Sequence, residues 1–398
     1  MRPTRASRLG APVARLIAVR IGLIARRFDP AGGGTERDLI VTAEMLRDAG
    51  HRVSIYADEV RAAAPGWTVI ASGLPRIGRT ARLIVFAMTA ASRARREGAE
   101  MVIGFARVVG ADVLRSGGSA HASYVRSARV WRGPAASIAM RLSPYHRAQI
   151  AIERRAFTSA RMRLAIGVSE MVRQDLAASF NLDPERTATL YNGVDLERFH
   201  PREPEIRRSA RAELGVPDGV PMAIFVGNGF ARKGLGYLLE AWPAVDQKTI
   251  LLVVGNDRGL TRFRRRADRL GLGSRVVFTG PRNDIDRMFA AADFLALPSL
   301  FEPFGNVVLE AMASGLPVLT SSRVGAAEIL PESMRRYVVK EPTDPSEIAW
   351  RARELADNVA GLAAQARTTA ETCTWENYRK GLLGLITGVA GRLDRAPR

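Results

Sequence analysis

The sequence predicts an α/β protein made of two doubly wound parallel domains that face a central cleft. Three observations predict it. Short apolar runs alternate with amphipathic segments along the chain, the pattern of buried parallel strands and the helices that cover them. The alternation falls into two series, separated by "LYNGVDLERFHPREP", whose Asn-Gly pair and prolines mark a linker. A chain of 398 residues that is 47% hydrophobic can bury two ordinary cores.

In the first series, "ARLIAVRIGLIA" reads as a buried strand, "TERDLIVTAEMLRDAG" as a helix closed by Gly50, and "HRVSIYAD" as the next strand, which together make one βαβ unit. "AEMVIGFA" and "MRLAIGVS" repeat the strand signal, each ending in a small or polar residue where loops of such sheets gather ligands. In the second series, strands are expected at "PMAIFVGN", "TILLVVGN", "SRVVFTG", "DFLALPS" and "PVLTSS". Helices are expected at "GLGYLLEAWPAV", "GLTRFRRRADRLG", "NDIDRMFAAA" and "GNVVLEAMASG". The resulting division is a loose basic start over 1–13, a first domain over 14–190, a linker over 191–204, a second domain over 205–375, and a closing helix over 376–398 that packs back over the linker.

Composition removes several function classes. No apolar run approaches the roughly 20 residues that span a bilayer, and the N-terminus lacks the apolar core of a secretory signal, so a cytoplasmic protein is expected. A single cysteine, Cys373, forbids an intrachain disulfide, argues against a cysteine-built metal site, and reads as a packing residue. The net charge of +19 is nearly all arginine, with lysine only at Lys233, Lys248, Lys340 and Lys380. Residues 1–200 carry 31 basic and 17 acidic side chains, against 28 and 23 in the remainder, so the first half is expected to meet the more anionic partner.

Three stretches carry chemistry. "RRFDPAGGGTERDL" places Gly32, Gly33 and Gly34 between a strand and a helix, where backbone amides can approach a phosphate or sugar; a plain tight turn would look the same. "VGNGFARKGLGYLLEAW" places Arg232 and Lys233 after a strand and before a helix, a pair suited to clamping a diphosphate. "EPFGNVVLEAMASGLPV" starts a helix at Gly305 and Asn306, with Glu302 before it and Glu310 on it. The free amides there can bind sugar or phosphate oxygens, and Glu302 can accept from sugar hydroxyls. Glu310 lies among apolar neighbours, where an acid is costly unless a ligand uses it, and it can grip vicinal ribose hydroxyls.

Glu302, seven residues and then Glu310, inside "EPFGNVVLEAMASGLPVLTS", resembles the signature of the retaining GT-B glycosyltransferases of family 4. "VGNGFARKG", "AAADFLALPS" and "LYNGVDLERFHP" are similar to that family's diphosphate loop, the strand before its signature, and its interdomain linker. "GGGTERDL" and "VIGFARVVGADVLRSGGSAHASYV" look most like the lipopolysaccharide core glucosyltransferase I group. The resemblance implies two Rossmann-like domains in the GT-B arrangement. It also implies a donor site in which Glu310 holds the ribose, and Glu302 with the amides near Phe304, Gly305 and Asn306 holds the sugar. Arg232 and Lys233, after Gly227, would hold the diphosphate, the backbone near Arg282 would meet the base, and Gly33 and Gly34 would lie under the diphosphate and sugar. Near the reacting carbon the resemblance leaves Asp112 or His121, with Asp112 ranked first. It further implies a nucleoside-diphosphate sugar as donor, UDP-glucose before GDP-mannose, and no metal or other cofactor.

Other features have plainer readings. Asp284 and Asp286 mimic a metal-binding Asp-x-Asp but sit at a helix start, where acids suit the dipole. His51, His146 and His200 have no spacing that suggests a metal or a triad. His121, Tyr124, Arg126, Arg129, Trp131 and Arg132 open a stretch that mixes arginine with aromatics, which suits an anionic membrane surface on the acceptor side. The function expected is therefore hexosyl transfer from a sugar nucleotide to a hydroxyl of a membrane-borne glycolipid, at the cytoplasmic face of the inner membrane. A sugar-nucleotide epimerase or hydrolase of the same fold is one alternative, although few histidines are present to serve it. A basic nucleic-acid-binding protein is the other, but no nucleic-acid module is recognisable and the Glu302/Glu310 pair would be unexplained.

Overall fold

A computed structural model describes residues 18–30, 34–62, 65–75 and 77–393. The basic start over 1–13, Gly32 and Gly33 lie outside the described residues. Two parallel sheets carry the fold. The first contains β1 (Arg20–Phe28), β2 (Arg52–Val60), β3 (Thr68–Ala71), β4 (Met101–Gly104), β5 (Val113–Ser116), β6 (Leu164–Gly167) and β7 (Thr187–Thr189), in the order β3-β2-β1-β4-β5-β6-β7. The second contains β8 (Met222–Val226), β9 (Ile250–Val254), β10 (Val276–Gly280), β11 (Phe294–Leu297), β12 (Val318–Ser321) and β13 (Val338–Val339), in the order β10-β9-β8-β11-β12-β13. Each sheet grows outward from its first strand in one direction and then in the other. The crevice at the reversal lies between β1 and β4 in one sheet and between β8 and β11 in the other, and such crevices gather ligands at strand C-termini.

The strands form because they are buried on both faces. Leu23 pairs with Ile55 on one side and Ile103 on the other, and all three are buried to 1% exposure or less. Burying a side chain of that size stabilises by about 1.5–3 kcal/mol. In the second sheet "MAIFV", "ILLVV" and "FLAL" stack in the same way around Phe225 and Phe294.

The chain crosses between the domains twice. On the first crossing Val194 N–H donates to the Cys373 carbonyl at 2.9 Å, so the linker and the returning segment are bonded to one another. Gly193 makes this possible, since a Cβ there would fall 2.5 Å from the Trp375 nitrogen. The helix Pro345–Glu371 buries Ile348, Ala352 and Leu355 and packs on the second domain, against helices Asn306–Ala313 and Leu235–Ala241. The helix Trp375–Leu393 then buries Tyr378, Leu382, Ile386 and Val389 against Ile21, Leu23 and Leu39, so it completes the first domain's core. Cys373 is a free thiol at this crossing, its pKa pushed up by burial.

Candidate active site

The strongest cluster lies at the second reversal point. The loop after β8 carries Arg232 and Lys233, and the loop after β11 carries Glu302. Lys233 Nζ donates to Glu302 Oε2 at 2.7 Å, while Arg232 Nη1 donates to the same oxygen at 3.0 Å and to the Phe301 carbonyl at 2.6 Å. Burial pushes the Glu302 carboxyl up, but Lys233 and Arg232 outweigh it and hold the pKa below the usual carboxylate range. Gly227 shapes the lysine's bed. Its φ is 142°, and a Cβ would fall 2.4 Å from Lys233 Cε.

Gly305 opens the helix Asn306–Ala313 at φ 95°, the left-handed region that glycine tolerates best. As the first helical residues, Asn306 and Val307 have amides with no carbonyl one turn back to serve. Phe304 is buried and packs on Tyr191 of the linker, with ring centroids 6.0 Å apart. Glu310, further along this helix, has a carboxylate with no hydrogen bond or ion pair among the described residues. Burial pushes its pKa up, only partly offset by the charges of Arg37, Arg198 and Lys233. An acid held in this way is ready to accept hydrogen bonds from a ligand's hydroxyls.

Arg282 lies at the end of β10, where its guanidinium is tied to Asp284 and Glu213, so the backbone is what it can offer a base. Asp284 is paired with Arg282 and Arg287, whereas Asp286 is paired with Arg198 and Arg202. The two aspartates are thus drawn apart by different partners. No group of three metal-ligating side chains occurs among the described residues. Gly34 begins the helix Gly34–Asp48 beside the undescribed part of its loop.

The first domain reaches this cluster through a set of contacts that sequence reasoning missed. Ser169, at the end of β6, donates to the Pro303 carbonyl at 2.7 Å and also caps the helix Glu170–Phe180 through Val172 N–H. Glu328 of the second domain accepts from the Glu170 and Met171 amides at 2.8 and 2.7 Å, and from the Tyr191 hydroxyl at 3.1 Å. Buried Arg115, at the end of β5, ties Asp38, Asn192 and Tyr378 together, and Asn192 donates in turn to the Asn306 side chain at 2.7 Å. The partners are 77 to 263 residues apart wherever Arg115, Asn192 and Glu328 link different segments, so local pattern offers no signal for them; the Ser169 cap alone was readable.

Two expectations are corrected. Asp112 is not in the cleft. It precedes β5 and so lies at the opposite edge of the sheet, roughly 13 Å from the strand's C-terminal end. There it is buried, pairs with Arg95 at 2.6 Å and accepts from Val102 N–H at 2.8 Å, a structural role. His121 lies on the cleft side, just beyond Gly118, where a Cβ would come 3.7 Å from Pro303 Cγ. Its Nε2 shares a 2.8 Å hydrogen bond with His146 Nδ1, so His146 is engaged with His121 and is not a solitary residue. Burial, with Arg107 and His146 adding, pushes the His121 pKa down to about 4.

The second correction concerns the aromatics. Tyr124 and Trp131 pack on Phe301 of the second domain, with centroids 5.9 and 6.1 Å apart, and are not an outward membrane face. Arg126, Arg129 and Arg132 do point outward. The exposed apolar side chains near them are Val130, Ile138 and Leu142, the last two 57% and 69% exposed.

Comparison with known proteins fits this geometry. The model of Glycosyltransferase Family 4 matches residues 32–198, and that of Glycosyl transferases group 1 matches residues 206–371. The chain is 26% identical over 365 residues to the lipopolysaccharide glucosyltransferase WaaG of Escherichia coli K12, covering 89% of this chain and 96% of that one. A crystal structure of WaaG, described as involved in lipopolysaccharide biosynthesis, superposes with a TM-score of 0.75 at 26% identity over 92% of this chain and all of that one. The fold is shared with HepE of Anabaena, solved in complex with UDP and glucose, at a TM-score of 0.70 and 18% identity over 93% of this chain and all of that one.

Proposed function

Because the chain belongs to the GT-B glycosyltransferases, we propose that it is a retaining hexosyltransferase that takes glucose from UDP-glucose and places it on a hydroxyl of a membrane glycolipid of the lipopolysaccharide-core kind. The observation that carries the reading is the Arg232–Lys233–Glu302 cluster beside the amides of Asn306 and Val307, with Glu310 unpartnered on the same helix.

In this reading Glu310 accepts from the ribose hydroxyls and the helix amides hold the sugar and phosphate oxygens. Arg232 and Lys233 turn towards the diphosphate and neutralise the charge that grows on it as the bond to the anomeric carbon breaks. Glu302, ionised beside the two cations, serves to orient the sugar by accepting from its hydroxyls. The acceptor hydroxyl then attacks from the face the phosphate leaves. Its oxygen forms the new glycosidic bond, its proton passes to the departing phosphate oxygen, and the anomeric configuration is kept. Two cations and helix amides do the work that a divalent ion does elsewhere, so no metal is required.

The acceptor enters from the first domain. No helix among the described residues is long and apolar enough to cross a membrane. The outward arginines Arg126, Arg129, Arg132 and Arg141, with Ile138 and Leu142 beside them, favour reversible docking on anionic lipid at the cytoplasmic face of the inner membrane. Each such charge contributes on the order of 1 kcal/mol near the surface. A panel of sugar nucleotides, scored by thermal shift and slow hydrolysis in the presence of EDTA, tests the donor assignment. UDP-glucose is expected to stabilise most and to be hydrolysed. A preference for GDP-mannose would change the donor, and activity restored only by added magnesium or manganese would overturn the metal-free mechanism.

A further inference from the structure

We propose, resting on the glycosyl-transfer reading above, that Arg115 and Asn192 are positioning residues that act through Asn306, fixing its side-chain amide so that only N–H donors meet the transferred sugar. Asn306 is the first residue of the helix that carries Glu310, and its amide is one of those the helix start leaves free. A Cβ on neighbouring Gly305 would come 3.2 Å from Glu302 Cγ, so this helix start lies against the carboxylate of the donor cluster. Behind it, Arg115 and Asn192 are both buried. Arg115 Nε donates to the Tyr378 hydroxyl at 3.0 Å, Nη1 lies 3.3 Å from Asp38 Oδ2, and Nη2 donates to Asn192 Oδ1 at 2.6 Å. The Phe105 and Tyr378 rings, centred 5.6 and 5.4 Å from the guanidinium carbon, flank the fork, and Asp38 offsets a charge that is costly to bury alone.

The polarity of this relay is forced. A guanidinium can only donate, so Asn192 must turn its carbonyl oxygen to Arg115, and the end left to face Asn306 is its NH2. That group also only donates, so Asn306 must answer with Oδ1, at 2.7 Å. The other end of the Asn306 amide, Nδ2, has no hydrogen bond among the described residues. It shares the helix start with the free backbone amides of Asn306 and Val307, so that start offers donors alone. A sugar hydroxyl that gives its proton to Glu302 keeps only lone pairs, and donors on its other side complete its hydrogen bonding. An Asn306 amide turned the other way would set a carbonyl oxygen against those lone pairs. Arg115 of the first domain thus selects, through the linker, which end of Asn306 the sugar meets in the second. A nucleoside diphosphate without the sugar is indifferent to that choice.

Calorimetry of UDP and of UDP-glucose on the full chain provides the test, because the ratio of the two affinities isolates the sugar. Asn192→Asp keeps the shape and the bond from Arg115, but its second oxygen accepts, so Asn306 must turn its NH2 inward and show the sugar its carbonyl. Asn192→Ala leaves Asn306 free to present either end. The affinity for UDP-glucose relative to UDP is expected to fall about tenfold in Asn192→Asp and about threefold in Asn192→Ala. The added negative charge repels the more anionic UDP more than UDP-glucose, so it cannot imitate this fall. A packing role alone would reverse the order, since the isosteric variant preserves the contact that alanine deletes. Asn306→Ala, which removes the donor itself, should also lower the ratio, and Asn192→Asp added to it should lower it no further. An unchanged ratio in Asn306→Ala or in Asn192→Asp, or a larger fall in Asn192→Ala than in Asn192→Asp, would overturn the assignment. Wild type that binds neither nucleotide would overturn the donor reading and the relay with it, whereas UDP bound with an unchanged ratio in the variants overturns the relay alone.

Discussion

The two reversal points have the same topology, but their charges are arranged differently. Between β8 and β11 the charges are close and mutually satisfied: Lys233 is 8% exposed and shares one carboxylate oxygen with Arg232. Between β1 and β4, Arg26, Arg27 and Arg107 are paired with carboxylates around an open cavity, and exposed Arg79, with no carboxylate partner among the described residues, lies on the Tyr145 ring. On the proposed reading, the satisfied cluster would meet the diphosphate, which is the same in every such donor, so its site can be preorganised. The largest expected effect follows from this. Lys233→Ala should lower turnover by about 100-fold or more with a smaller change in the donor KM, because the lost interaction grows in the transition state. Steady-state kinetics would show it, and an equal loss of ground-state binding with unchanged turnover would make Lys233 a plain anchor.

Acid should separate the two domains next. His51, His121 and His146 all lie in the first domain, and each has its pKa pushed down by burial. For His121 the folded value is about 4. The unfolded chain, with histidine near 6.5, binds more protons between those values, so stability rises with pH across that window and is lost as pH falls through it. The loss from His121 is on the order of 3 kcal/mol or less. Hydrogen exchange at pH 7 and pH 5 should show the first domain loosening before the second, less so in His121→Asn. Uniform loosening would deny the difference.

The second domain was the more legible in sequence. Its strands β8 to β12 are apolar runs of four or five residues bounded by glycine, proline or polar residues, and each was read within a few residues of its bounds. The strands that escaped, β3, β5, β7 and β13, have two to four residues, and in β5 and β7 charged or polar residues interrupt the apolar run. Of these, β5 had a consequence. Its run "VLRS" is broken by Arg115, whose guanidinium is met by Asp38, Asn192 and Tyr378, residues far along the chain. With β5 unread, nothing revealed that Asp112 precedes a strand and so sits at the edge away from the cleft. That Arg232, Lys233 and Glu302 gather near a helix start was readable because helix starts, glycines and paired cations are local. The interdomain contacts of Glu328 were not.

Those contacts give the next smaller effect. Glu328→Ala removes the acceptor of two helix amides and of Tyr191 without touching either reversal point. If the two must be held together to act, transfer should fall about tenfold while donor hydrolysis falls less, and solution scattering should report a more open molecule. Unchanged transfer would show that other contacts suffice.

The central claim is that the nucleotide belongs to the second domain and is held by Glu310. Calorimetric titration of UDP into wild type, Glu310→Gln and Arg79→Gln tests it most directly. Burial raises the Glu310 pKa, so its ionised form costs stability at neutral pH, and Glu310→Gln should melt at a higher temperature than wild type. The account predicts that this more stable variant binds UDP about tenfold more weakly, while Arg79→Gln binds it as wild type does. Wild-type affinity in Glu310→Gln, or a loss confined to Arg79→Gln, would contradict it.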